Sequence, residues 1–137
     1  MITLQILNEI RNEIILTGKD TRYKIEAYSF VLQGLNFYLI RTGEKRHFSG
    51  NELAYGLIDF AQKQFGPLAS SVLKYWGIQS TNDLGYIVYN LIDLNLIRKQ
   101  ESDSIEDFLN VFNINEYLAS SEKTPFDKTY IKNIKGA

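Results

Sequence analysis

The 137-residue sequence contains no cysteine, a single histidine and two prolines. Without thiols the chain can form neither disulfides nor thiolate-bound zinc or iron–sulfur sites, and it has no cysteine nucleophile. A single histidine also excludes a metal site built from several histidines, so we predict no cofactor. Long uncharged apolar runs are missing too, because Glu9, Arg11 and Glu13 interrupt the first apolar pattern. We therefore expect no membrane span and no secretion signal, and we expect a cytoplasmic protein.

An excess of charge of one sign is also absent. Fifteen basic and sixteen acidic residues give a net charge of −1, which argues against a surface that coats nucleic acid or an anionic membrane. Hydrophobic residues make up 45% of the chain and charged residues 23%, as in folded soluble domains. The length suits one domain. We assign residues 1–119 to this domain and residues 120–137 to a linker and a C-terminal tail.

Apolar periodicity and capping signals predict five helices in the first two thirds of the chain. They cover about residues 2–17, 23–42, 49–66, 67–76 and 80–94. Gly18 stands where a left-handed residue would end the first helix. The predicted buried stripe of the second helix consists of Ala27, Phe30, Val31, Gly34, Leu35 and Tyr38, and that of the fifth consists of Leu84, Ile87, Val88 and Leu91. The clearest start is the capping box that begins at Ser49, with Glu52 three residues later. Gly34 in the middle of the second helix indicates a close helix contact, and Trp76 is expected to be buried against the fifth helix.

The apolar period changes after residue 95. Residues 96–100 and 108–112 have the pattern of two short strands joined by a polar connection, which predicts a hairpin. A short helix, a glycine-containing turn, a second helix and a hairpin are the layout of a winged helix-turn-helix. The predicted fold class is therefore mainly α (α+β), a compact helical domain with a winged-helix-like C-terminal half. A small α+β domain that merely ends with a hairpin is the alternative.

A winged helix suggests DNA binding, but the charge of this region opposes it. Residues 80–113 contain two basic and six acidic residues, a net charge of −4, which should repel the phosphate backbone. Tyr86, Tyr89 and Asn90 on the predicted recognition helix are instead side chains that suit a protein partner. The alternative for the tyrosines is that they pack beneath the wing.

A short basic stretch precedes the third helix. Arg41, Lys45, Arg46 and His47 are candidate anion-binding residues, and a solvated loop is the alternative. His47 and Ser49 do not make a convincing catalytic pair, because the N-cap hydroxyl is committed to a backbone amide. We assign no catalytic and no metal-binding residues.

The C-terminal tail has the signature of one more helix, with Thr124 as the cap and Pro125 at the first helical position. Its apolar face is formed by Phe126, Tyr130 and Ile134. We predict that this face docks on a surface of this chain or of a second copy and contributes to self-association. A frayed terminus is the alternative.

Four stretches form a distinctive pattern: Arg46-His47-x-Ser49-Gly50-x-Glu52-Leu53, Phe65-Gly66-Pro67-x-Ala69, Val72-Leu73-x-x-Trp76-Gly77 and Thr81-x-Asp83-x-Gly85-x-Ile87-Val88. In these residues the chain resembles a bacterial family of conserved hypothetical proteins first catalogued in planctomycete and verrucomicrobial genomes. The resemblance runs from about residue 23 to residue 112 and implies one compact domain. It implies no activity, and the tail beyond Glu116 lies outside it.

These observations lead to one main functional hypothesis, a noncatalytic protein–protein interaction module that works as a homodimer or within a larger assembly. A winged-helix DNA-binding regulator is the first alternative. A binder of an anion or small ligand that uses the loop of Arg46 and His47 is the second.

Overall fold

The computed structural model describes the backbone of residues 2–42 and 48–122, and the side chains of residues 2–37 and 48–120. Its α-helices are α1 (Leu4–Ile10), α2 (Ile25–Thr42), α3 (Gly50–Phe65), α4 (Ala69–Tyr75), α5 (Thr81–Asp93) and α6 (Ile114–Glu122). A π-helical turn at Arg11–Ile15 continues α1, and 3-10 turns cover Gly66–Leu68 and Ile105–Phe108. Residues 2–42 and 48–122 contain no strand, so this part of the chain is mainly helical. None of its helices is long and apolar enough to cross a membrane.

The core lies where α2, α3 and α5 meet. The predicted apolar stripe of α5 is confirmed, since Leu84, Ile87 and Leu91 are all fully buried. The close contact expected at Gly34 is also confirmed, because a Cβ atom there would lie 2.7 Å from Cδ2 of Leu57 on α3. These contacts hold α2 and α3 side by side.

Local capping sets the helix ends much as predicted. The Ser49 hydroxyl accepts a hydrogen bond from the Glu52 amide at 3.2 Å, and the Glu52 carboxylate accepts one from the Ser49 amide at 2.9 Å. Gly18 adopts the expected left-handed conformation, with φ of +80°. The fourth helix begins differently, because Pro67 lies in a 3-10 turn and the α-helix starts at Ala69.

The predicted hairpin is wrong, and with it the winged-helix-like C-terminal half. The backbone groups that a second strand would pair are bonded instead to side chains at the start of α5. The Thr81 hydroxyl donates to the Phe108 carbonyl at 2.6 Å and accepts from the Val111 amide at 3.1 Å. The Asn110 amide donates to Asn82 Oδ1 at 2.8 Å. Asn110 also has φ of +52°, which does not suit a strand.

Phe108 explains why this segment folds against the helices. Its side chain is 2% exposed and lies between Gly50 of α3 and Gly85 of α5. A Cβ atom at Gly85 would come within 2.6 Å of Cβ of Phe108, and one at Gly50 within 2.9 Å of its ring. The two glycines therefore make room for the aromatic ring, and we call this contact the Phe108 junction.

The final described helix also belongs to the folded domain. Ile114 and Leu118 of α6 are buried, and Asn113 Oδ1 accepts a hydrogen bond from the Glu116 amide at 2.9 Å. Ser70 of α4 donates to Asn115 at 2.6 Å. Helix α6 thus continues to Glu122, past the predicted domain boundary at residue 119.

Candidate protein-binding groove

An open groove of about 730 Å³ lies between α1, α2 and α3. We call it the α1–α2 groove. It is lined by Ile2, Ile6, Leu32, Gln33, Asn36, Phe37, Phe60 and Leu96. Six of these side chains are apolar, whereas Gln33 and Asn36 are exposed polar residues. A concave apolar surface with a few polar groups is the usual character of a binding site.

Helix periodicity brings part of this lining together. Gln33 and Phe37 are four residues apart and so lie on one face of α2, whereas Ile6 lies in α1 and Ile2 just before it. Ile6, Leu32 and Phe37 remain partly exposed, and the Phe37 ring packs on Phe60 with 5.0 Å between centroids. The described residues therefore leave large apolar side chains incompletely covered.

A second depression of about 240 Å³ adjoins the groove and shares Gln33 and Phe60 with it. It is also lined by Trp76, which is partly exposed. The centroid of the Trp76 ring lies 5.6 Å from the ring centroids of both Phe30 and Phe65. The expectation that Trp76 is buried against the fifth helix is confirmed only in part: the side chain is mostly covered, but the rings described around it belong to Phe30 of α2 and Phe65 of α3. This depression is mixed in character, because Glu26, Ser29, Gln33 and Gln64 also line it.

Two of the predicted partner-binding residues belong to a polar network that joins α5 to the loop before α2. Asn90 donates to Asp20 at 2.8 Å and to the Tyr28 hydroxyl at 3.0 Å. The Arg22 guanidinium forms a bidentate pair with Asp20, at 3.0 and 2.8 Å, and lies over the Tyr86 ring, 4.4 Å from its centroid. These contacts tie the loop before α2 to α5, so Asn90 and Tyr86 stabilise the fold.

The pKa shifts in this network indicate a structural role. The hydrogen bonds from Arg22 lower the pKa of Asp20 to about 2, although burial opposes the shift. Burial raises the pKa of Tyr28 to about 12. Both groups therefore keep one protonation state at neutral pH, whereas acid–base catalysis favours a pKa near the working pH.

Tyr89, the third predicted residue, lines a small cavity on the other side of α5. The cavity measures about 40 Å³ and is also bordered by Arg98, Asp103 and Asp107. Burial raises the pKa of Tyr89, and the neighbouring carboxylates act in the same direction. The space suits an ordered water molecule rather than a larger ligand.

The remaining predicted site residues fall outside the described side chains. Arg41 lies in α2, which is described there by its backbone only, and residues 45–47 of the anion-binding candidate are not among the described residues. The same holds for the tail residues Phe126, Tyr130 and Ile134. The groove itself was missed from the sequence. Leu32 and Phe37 lie off the predicted stripe of α2, and this extra apolar surface was the available signal.

The fold and the groove define a mainly helical domain with an open apolar surface beside α2. Comparison with protein-family models, curated proteins and solved structures found no match. The resemblance to the bacterial family therefore stays a prediction, and the groove is the feature from which a function can be inferred.

Proposed function

We propose that this chain is a noncatalytic protein-interaction module that binds an amphipathic helix of a partner protein in the α1–α2 groove. The observation that carries the proposal is the incompletely covered apolar lining, in which Ile6, Leu32 and Phe37 are all partly exposed. Amphipathic helices recognise such grooves with apolar anchors spaced three or four residues apart. The bound helix would pack against α1 and α2 as one more helix of the bundle.

The size of the groove sets the expected affinity. The groove side chains are already partly buried, so most of the gain comes from the partner helix. Burying three of its exposed apolar anchors contributes roughly 5–9 kcal/mol, at about 1.5–3 kcal/mol each. Loss of translational and side-chain freedom offsets much of this gain. We therefore expect a dissociation constant in the micromolar range, on the order of 10⁻⁶ M.

Charge favours a basic partner. Residues 1–122 contain eleven basic and fifteen acidic residues, a net charge of −4. The groove lining itself has no charged side chain among its described residues. A partner helix with lysine or arginine on its polar face would gain from the overall field without placing a charge in the apolar groove.

The experiment selects peptides of about 16 residues from a random phage-displayed library on the full-length protein. The enriched peptides are then titrated by fluorescence anisotropy against point variants. Asn36→Arg, in the groove, should weaken binding by at least about tenfold, equivalent to about 1.4 kcal/mol. Asn36→Glu should strengthen the binding of basic peptides.

Ser71→Arg provides the matched control. Ser71 is an exposed polar residue on α4 that does not line the groove, and its substitution should leave the affinity within about twofold. Equal binding to the Asn36→Arg and Ser71→Arg variants would refute the proposed function. So would a selection that enriches no peptide on the full-length protein and none on a variant whose tail carries Phe126→Ser, Tyr130→Ser and Ile134→Ser.

The DNA-binding alternative is not proposed, because the wing on which it depended is not formed by the described residues. The anion-binding alternative rests on residues that the structure does not describe, and it gains no support here.

A further inference from the structure

We propose that the C-terminal segment of this same chain, residues 123–137, occupies the α1–α2 groove intramolecularly and competes with the partner helix. This inference rests on the proposed function of the groove, to which it adds a specific occupant. The segment follows α6 directly, and its predicted apolar face consists of Phe126, Tyr130 and Ile134.

The tail has the pattern that the groove requires. Its three apolar residues are spaced four apart and so lie along one side of a helix. Thr124 and Pro125 provide the start signal. A helix of about ten residues is marginal in water by itself, because so few hydrogen bonds do not offset the cost of nucleation. The tail therefore gains stability only by docking, and the groove has incompletely covered apolar side chains that it can contact.

Helix α6, which directly precedes the tail, contacts α3 beside a residue that lines the groove. On α6, the Tyr117 hydroxyl donates to Asp59 at 2.7 Å, and the next residue of α3, Phe60, lines the groove. Helix α6 and the groove thus flank the same part of α3. An α-helix is about 10–12 Å wide, and residues 123–125 span about 10 Å when extended. The linker is therefore comparable in length to the width of one helix.

Charge complementarity points to the same occupant. Residues 123–137 contain four lysines and one aspartate, a net charge of +3, against −4 for residues 1–122. Lys128, Lys132 and Lys135 lie mostly off the apolar face. The lysines can remain in solvent while the apolar face enters the groove, which is the charge pattern proposed for the partner helix.

Docking within one chain is favoured over docking between copies. A short linker gives a tethered segment an effective concentration on the order of millimolar. The bimolecular contact would match this only at a similar protein concentration. The tail then acts as an internal competitor, and a partner must displace it.

The absence of cysteine allows a direct test. Gln5→Cys creates a single attachment point for a nitroxide label beside the groove of the full-length, ¹⁵N-labelled protein, since Gln5 is exposed on α1 next to Ile6 and does not line the groove. Glu106→Cys is the control, since Glu106 is exposed and lies in the 3-10 turn that packs on Gly50, about 15 Å along α3 from Phe60. We expect the Gln5→Cys label to reduce the amide signals of residues 126–134 strongly and the Glu106→Cys label to reduce them clearly less, because the broadening falls steeply with distance from the label.

Two further measurements make the result decisive. An excess of unlabelled protein should leave the broadening unchanged, because the contact is intramolecular. Replacing the apolar face by Phe126→Ser, Tyr130→Ser and Ile134→Ser should abolish it and should tighten the binding of a library-selected peptide by at least about fivefold. The polar pair Thr129→Ser and Asn133→Ser is the matched control and should change neither.

The inference is overturned if the groove label leaves the tail signals intact, or if dilution removes the broadening, which would mean that a second copy supplies the tail. Failure of this inference is distinguishable from failure of the proposed function. A tail that does not dock, combined with peptide binding that depends on Asn36, leaves the function standing. A tail-substituted protein that binds no selected peptide refutes the function itself.

Discussion

The Phe108 junction and the α1–α2 groove are two apolar surfaces of the same helical domain, but the first is closely packed and the second is open. At the junction, Gly50 and Gly85 admit the ring closely, while Thr81 and Asn82 bond to the backbone around it. The groove has similar apolar residues but is bordered by exposed Gln33 and Asn36. The contrast shows that apolar composition alone does not decide whether a surface belongs to the core. A surface closes when its residues approach closely and its polar groups have hydrogen-bond partners.

We expect the greatest loss of stability from a substitution at the Phe108 junction, which tests whether the junction belongs to the core. Phe108→Ala removes a buried aromatic ring and should lower the free energy of unfolding by about 3–5 kcal/mol. Leu109→Ala, at a neighbouring residue that is 37% exposed, should cost less than about 1 kcal/mol. Urea denaturation measures both variants. Equal costs would remove the contrast between the junction and the surface around it.

The hydrogen bonds of Thr81 give the next largest effect. Thr81→Val keeps the shape of the side chain but removes the hydroxyl that serves the Phe108 carbonyl and the Val111 amide. Leaving buried polar groups without partners should cost about 2–3 kcal/mol. Thr17→Val is the control, because the Thr17 hydroxyl bonds to the Glu13 carbonyl at an exposed position. A stability loss no greater than that of the control would mean that these bonds do not hold the segment.

The Asp20 network should produce a pH-dependent difference. Because the pKa of Asp20 is lowered to about 2 in the folded protein, from an ordinary value of 3.8, its charge stabilises the folded state above pH 3.8 and the effect is lost as the pH falls towards 2. Asp20→Asn should therefore cost about 2 kcal/mol at neutral pH and progressively less in acid.

Denaturation of both proteins across this pH range measures that difference. Asp93→Asn, which removes an exposed ion pair with Lys19, serves as the control and should cost no more than about 1 kcal/mol. A constant cost for Asp20→Asn at every pH would show that its charge is not what matters.

The smallest effect is expected in the groove. Leu32→Ala should reduce stability by no more than about 1 kcal/mol, because Leu32 is only partly buried, whereas Leu57→Ala in the core should cost about 2–5 kcal/mol. Thermal and urea melts of the two variants provide the comparison. A cost for Leu32→Ala that equals that of Leu57→Ala would assign the groove to the packed core.

Local signals predicted much of the helical layout. The Ser49 capping box, the stripe of α5 and the left-handed Gly18 depend on residues within a few positions of one another, and all are confirmed. The hairpin prediction was wrong because this segment is held by a hydrogen bond between Thr81 and Phe108, which are 27 residues apart. The alternation of apolar and polar residues along 108–112 does not indicate that Thr81 is their hydrogen-bond partner.

The candidate site also depends on contacts between residues that are far apart in the sequence. Asn90 has the character of a surface residue in the sequence, but its partner Asp20 is 70 positions away. Leu32 and Phe37 do not belong to the predicted stripe of α2, but both line the groove, as do Ile2 and Ile6. No local pattern shows that α1 approaches this side of α2.

Local sequence patterns set where most of the helices begin and end, because capping and periodicity act over one or two turns. The amino-acid sequence also sets the near-neutral charge balance and the amphipathic pattern of the tail. Which apolar surfaces close and which stay open depends on the tertiary structure. That outcome depends on how helices approach one another, on glycines such as Gly85 that remove a Cβ atom at the contact, and on hydrogen bonds between residues far apart in the chain.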